Sequence, residues 1–60
     1  MPMTPRELRR ALKRLGWTQV ELARRIGVNP RTVRKWVLNE TPMSEPASLL
    51  LREWLKQPPR

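Results

Sequence analysis

Apolar positions along this chain recur at helical spacing and show no sustained alternation. Leu8, Leu12 and Leu15 fall at i, i+4 and i+7 with Ala11 beside them, while Arg9, Arg10, Lys13 and Arg14 take the other face. Thr4, Pro5, Arg6 and Glu7 predict how that helix starts. Thr4 is the N-cap, Pro5 takes the first helical position, and Glu7 reaches back to the cap N–H. Gly16 is placed to end the helix in the left-handed conformation. A second helix opens at Thr18, with Glu21 three residues on as another capping box, and buries Leu22, Ala23 and Ile26. It spans about two turns, too short to stand without tertiary packing.

Gly27, Val28 and Asn29 form a tight turn, and a third helix follows with Asn29 as N-cap and Pro30 at the first helical position. Val33, Trp36 and Val37 make its core face, so Arg31, Arg34, Lys35 and Leu38 point elsewhere. Asn39 suits the left-handed residue that ends it. Residues 39–45 read as a loop whose Met43 plugs the core. The fourth helix starts at Ser44 or Glu45 and has Pro46 in its first turn. It is stopped by Pro58 and Pro59. Ala47, Leu50, Leu51, Trp54 and Leu55 form its expected buried stripe, with Leu49 left partly exposed. The expected bounds are 5–15, 18–26, 30–38 and 45–57 in one domain, 1–60. The fold class is all-α: a small four-helix domain, with or without a short fifth turn.

Composition narrows the function. The chain has 60 residues, 13 Lys and Arg against 5 Glu, and neither Cys nor His. That excludes a disulfide framework, a thiolate or imidazole metal site and the commonest general base. The five Glu fall on separate segments and make no catalytic pair, so no enzyme, metal, cofactor or small-molecule ligand is expected. No apolar run exceeds three residues, as in Leu49, Leu50 and Leu51, far short of the roughly 20 needed to span a bilayer. Arg6, Arg9, Arg10, Lys13 and Arg14 sit where a signal peptide would be apolar, so a cytoplasmic location is expected. The charge is strongly asymmetric. Residues 1–35 carry ten cations against two acids, and residues 36–60 carry three against three. Such a field favours a polyanion. Solubility alone does not need one sign confined to one half. A membrane surface is a poor partner, because the apolar face of helix one is needed for the core.

Helices two and three carry the strongest motif. Two short amphipathic helices joined by a Gly-bearing turn form a helix-turn-helix, in which the closest approach demands a small residue and the turn a positive φ. Ala23 and Gly27 supply them. The run from Thr18 to Val28 resembles the start of the helix-turn-helix of lambda Cro and repressor-type proteins, the XRE family, and Asn29 to Trp36 is similar to its recognition helix. The resemblance covers roughly residues 5–56. Its motif is Thr18-Gln19 opening helix two, Leu22-Ala23 inside it, Gly27 at the turn, and Val33 and Trp36 inward on helix three. Asn39 stands where members often have Gly, and Pro30 is uncommon at the tip of the recognition helix. Many members add a dimerising fifth helix; with Pro58 and Pro59 after helix four, none is expected here.

The resemblance implies a double-stranded DNA binder, a small phage or bacterial repressor working as a homodimer on an inverted repeat. It places Leu22, Ala23, Ile26, Gly27, Val33 and Trp36 in the motif's core. The start of a recognition helix meets base edges in the major groove, which makes Arg31 the first choice for guanine O6 and N7. Lys35 shares its face one turn on, and Asn29, Thr32 and Arg34 are further base-reading candidates. Arg34 alternatively meets phosphate or solvent. Gln19 matches a position that contacts phosphate and braces a base-reading side chain in the family. Thr18, Arg24 and Arg14 are the other phosphate candidates. Thr18 also serves as a cap, and Arg24 and Arg25 are alternatively solvated. Arg9, Arg10, Lys13 and Arg14 either flank the backbone or keep helix one soluble. Trp17, Trp36 and Trp54 are expected in the core rather than stacked on bases. If the protein dimerises, Leu49 and the surface of helix four are the expected interface. A second reading keeps the fold and changes the partner: an antitoxin or an inhibitor of a nucleic-acid enzyme, its basic face on an acidic protein.

Overall fold

Thr4 Oγ1 accepts the Glu7 N–H at 3.2 Å, and Glu7 Oε1 accepts the Thr4 N–H at 3.2 Å. This reciprocal pair starts α1 (Pro5–Leu15) in the computed structural model, which describes residues 2–58. Three more helices follow, α2 (Gln19–Ile26), α3 (Pro30–Val37) and α4 (Glu45–Lys56), and no strand occurs among the described residues. The chain is thus a small all-α domain of four helices. Where the bounds differ from expectation they do so by one residue, at a cap: Thr18, Leu38 and Gln57 flank helices rather than lie within them. Helix α4 is followed by Gln57 and Pro58, while Pro59 lies outside the described residues.

The first three helices end in the same way. Trp17 N–H donates to Leu12 O at 3.0 Å, Val28 N–H to Ala23 O at 3.0 Å, and Glu40 N–H to Lys35 O at 2.9 Å, each reaching five residues back. Each bond closes over a left-handed residue: Gly16 (φ 73), Gly27 (φ 88) and Asn39 (φ 61). These Schellman-type endings satisfy carbonyls that would otherwise be orphaned, and they fold the chain sharply back. A Cβ at Gly27 would meet nothing within 4 Å, so the demand for glycine there is conformational, not steric.

The core lies between the helices. It is built from Met3, Leu8, Ala11, Leu12, Leu22, Ala23, Val33, Trp36, Val37, Met43, Ala47 and Leu51. Trp17 and Trp54 pack against it with ring centroids 5.3 Å apart at 73°, an edge-to-face pair. Met43 is buried and plugs the core from its loop, as its isolation in a polar segment predicts. Leu49 is 58% exposed, also as expected.

Two expectations fail. Leu50 is 39% exposed, not buried, and Ser48 is fully buried instead. These residues lie on opposite flanks of the α4 stripe. Met3, itself buried, covers the Ser48 flank and donates its backbone N–H to Ser48 Oγ at 3.0 Å. That bond satisfies the polar pair inside the core, while the Leu50 flank faces solvent. The capping box at Thr18 is only half formed. Thr18 Oγ1 accepts the Glu21 N–H at 3.1 Å, but the Glu21 carboxylate pairs at 3.4 Å with Arg25, one turn on.

Candidate nucleic-acid interface

Helix α3 is pinned by one face. Val33 is fully buried, and Trp36 and Val37 are nearly so, packed against α1 and α2. At 3.6 residues per turn that fixes what the other face must carry. Pro30, Arg31, Arg34 and Lys35 are all exposed on it, and Thr32 is half-buried at its margin. Among the described residues no acid is ion-paired with Arg31, Arg34 or Lys35. The first turn of α3 contains no acid either. Three cations within one helical turn of each other are therefore held out from the molecule without an internal partner.

The start of α3 is set by Asn29, whose Oδ1 accepts the Arg31 N–H at 2.9 Å. The cap thus fixes the backbone at Arg31 and leaves the Asn29 amide donors to solvent. Pro30 has no N–H and a φ suited to the first turn, so it stiffens this end at no cost in hydrogen bonds. The Gly27 turn lays the start of α3 beside the start of α2. Gln19, Val20, Pro30, Arg31 and Arg34 consequently line one shallow notch of about 260 Å³.

Among the residues singled out in the sequence, Gln19, Arg31 and Arg34 are brought together in that notch. Thr18 and Arg24 share an adjoining groove with Val20, Glu21 and Arg25. Asn29 and Lys35 are exposed at the start and on the outer face of α3. Arg14 lies elsewhere, lining a groove with Met3, Glu7, Arg10, Ala11 and Leu55 on the α1 and α4 side. Leu22, Ala23, Val33 and Trp36 are buried and Ile26 is half-buried, whereas Gly27 is exposed and belongs to the motif through its backbone alone.

Two arginines have structural partners that helical periodicity does not reveal. The Arg25 guanidinium lies 4.2 Å from the Trp17 ring centroid and also meets Glu21, so it is not simply solvated. Arg9 Nη2 donates to the Val37 carbonyl oxygen at 3.2 Å. Val20, 47% exposed between cations, is the site residue that pattern analysis overlooks. An isolated apolar residue on an outer face was its one signal. The titration of Glu7 is displaced: backbone and side-chain hydrogen bonds from Thr4 hold it below the ordinary glutamate range, with Arg52 adding to the effect.

Two short helices joined by a left-handed glycine, the second displaying an unpaired cationic face, define a helix-turn-helix DNA-binding domain. The family model described as Helix-turn-helix matches residues 8–53, and the chain belongs to that family, of the XRE type. It is a family of DNA-binding regulatory domains, not of catalysts. No curated protein and no solved structure matches the chain. Among the described residues no helix is long and apolar enough to cross a membrane.

Proposed function

We propose that this protein is a sequence-specific double-stranded DNA-binding repressor of phage or bacterial type, acting in the cytoplasm, whose α3 reads the major groove. It performs no chemistry and acts by competing with polymerase for promoter DNA. The observation that carries this reading is the pairing of opposite faces on α3: Val33, Trp36 and Val37 buried, and Arg31, Arg34 and Lys35 exposed without acidic partners. Arg31, at the helix start, donates its planar fork to guanine O6 and N7. Lys35 reads a second guanine or holds a phosphate. Arg34, Asn29 and Thr32 contact the adjoining base edges or the backbone. Gln19 and Thr18 at the start of α2, with Arg24 on the flank, meet phosphates and set the register.

One such module presents a small reading surface, so useful affinity calls for a homodimer on an inverted repeat, with recognition helices about 34 Å apart. Leu49 and Leu50, exposed on α4, suit that contact. Selection of bound duplexes from a random pool, with light scattering for stoichiometry, tests the reading. Enrichment of one inverted repeat bound two chains to a site is expected. Equal binding of all duplexes at moderate salt would instead point to an acidic protein as the partner of the basic face.

A further inference from the structure

We infer that the notch between the starts of α2 and α3 seats the C5-methyl group of a thymine, so that Val20 and Pro30 select a pyrimidine methyl at one step of the bound duplex. The inference rests on the proposed DNA-reading role of α3 and assigns a second kind of recognition to the same surface. Of the four large apolar side chains left exposed among the described residues, Val20 alone lines this notch. It shares the lining with Pro30, a residue with no backbone N–H to donate. That flank of the notch therefore presents hydrocarbon, and a polar base edge placed there would lose its hydrogen bonds to water without replacement.

The rim decides what the occupant is attached to. Arg31 and Arg34 border the notch on the α3 side and Gln19 borders it on the α2 side. An apolar peptide would leave those guanidinium groups unused. A duplex uses both parts. In the major groove thymine alone among the four bases presents a methyl group. That methyl lies at the outer edge of its base, beside the phosphates of its own strand. A methyl against Val20 and Pro30 would thus bring a phosphate within reach of the cations while Arg31 extends to the neighbouring base edge. RNA offers neither feature, since its major groove is too narrow for side chains and uracil has no methyl.

The experiment is a substitution scan on the selected duplex. Each thymine is replaced in turn by deoxyuridine, which removes the methyl and no hydrogen-bonding group, and Kd is measured at fixed salt. One position per half-site should bind about fourfold more weakly, the weight of one methyl-sized group returned to water. Val20→Ala should bind the thymine and deoxyuridine duplexes alike at that position, and Val20→Thr, which keeps one methyl, should show an intermediate penalty. Val20 is half exposed, so neither change disturbs the core, and the scan on the unaltered protein needs no variant at all. Deoxyuridine duplexes that all bind like the parent overturn the inference. So does a penalty that persists undiminished in Val20→Ala, or a selected site lacking a constant thymine. Sensitivity to a neutral methylphosphonate but not to deoxyuridine would assign the notch to the backbone and overturn it as well. In each of these cases a preferred duplex still exists and the repressor reading stands, whereas absence of any preferred duplex removes both.

Discussion

Arg9 Nη2 donates to the carbonyl oxygen of Val37 at 3.2 Å, a partly buried bond that spans 28 residues and ties α1 to the last residue of α3. A cation at the carbonyl end of a helix meets both an orphaned acceptor and the negative pole of the helix. The bond therefore acts on the element that carries Arg31 and Lys35, at the end opposite to Arg31 and within the turn that carries Lys35. Arg9→Ala should lower stability by about 1 kcal/mol, or roughly 4–8 °C in Tm for a domain of this size. It should also weaken binding to the selected duplex more than Arg10→Ala does, although both remove one charge. Thermal melts and Kd values for the two variants side by side check this. Equal losses would mean that Arg9 contributes charge only.

Ser48 is fully buried and accepts the Met3 N–H, the bond that fastens the segment before α1 across α4. Ser48→Ala strands that N–H in the core, which should cost about 1–3 kcal/mol. Amide exchange at Met3 should accelerate in the variant by more than the global loss of stability explains. An unchanged melting temperature would show that the segment is held by the Met3 side chain alone.

The features legible in the sequence are those that depend on near neighbours. Thr4 and Glu7 are three residues apart, and Gly16, Gly27 and Asn39 each act within one turn of their own helix, so the ends of the first three helices are local facts. The open face of α3 is equally legible, being the complement of Val33, Trp36 and Val37. What escapes is tertiary. The burial of Ser48 is not legible because it depends on Met3, one apolar residue in an irregular segment with no periodicity to read, which covers that flank of α4, while Leu50 on the other flank is exposed. Glu21 leaves its cap because Arg25 offers it an ion pair while also stacking on Trp17. Val20 joins the candidate site only because the Gly27 turn brings Pro30 beside it.

Glu7 makes the start of α1 sensitive to acid. Hydrogen bonds from Thr4 favour its ionised form in the folded state and hold its pKa below the ordinary value of 4.5. A depressed folded pKa contributes stability that is complete above the unfolded value and is lost as pH falls through the folded one. The difference in Tm between the unaltered protein and Glu7→Gln should therefore be constant near neutrality and shrink as pH is lowered below about 4.5. A difference that stays the same down to the acid limit would mean that the Thr4 bonds do not depend on the charge of Glu7.

Arg31 and Arg24 lie on different helices, both exposed, and they should fail differently. If Arg31 holds a guanine by O6 and N7, Arg31→Ala costs about 1–3 kcal/mol against the preferred base, and the selected site becomes degenerate at that one position. If Arg24 meets a phosphate, Arg24→Ala weakens every duplex by the same factor and reduces the slope of log K against log salt by about one unit. Repeating the duplex selection with each variant, and titrating salt for both, separates base reading from backbone contact without a structure of the complex. A selected site unchanged in Arg31→Ala would move the reading role to Lys35, the cation one turn further along the same face.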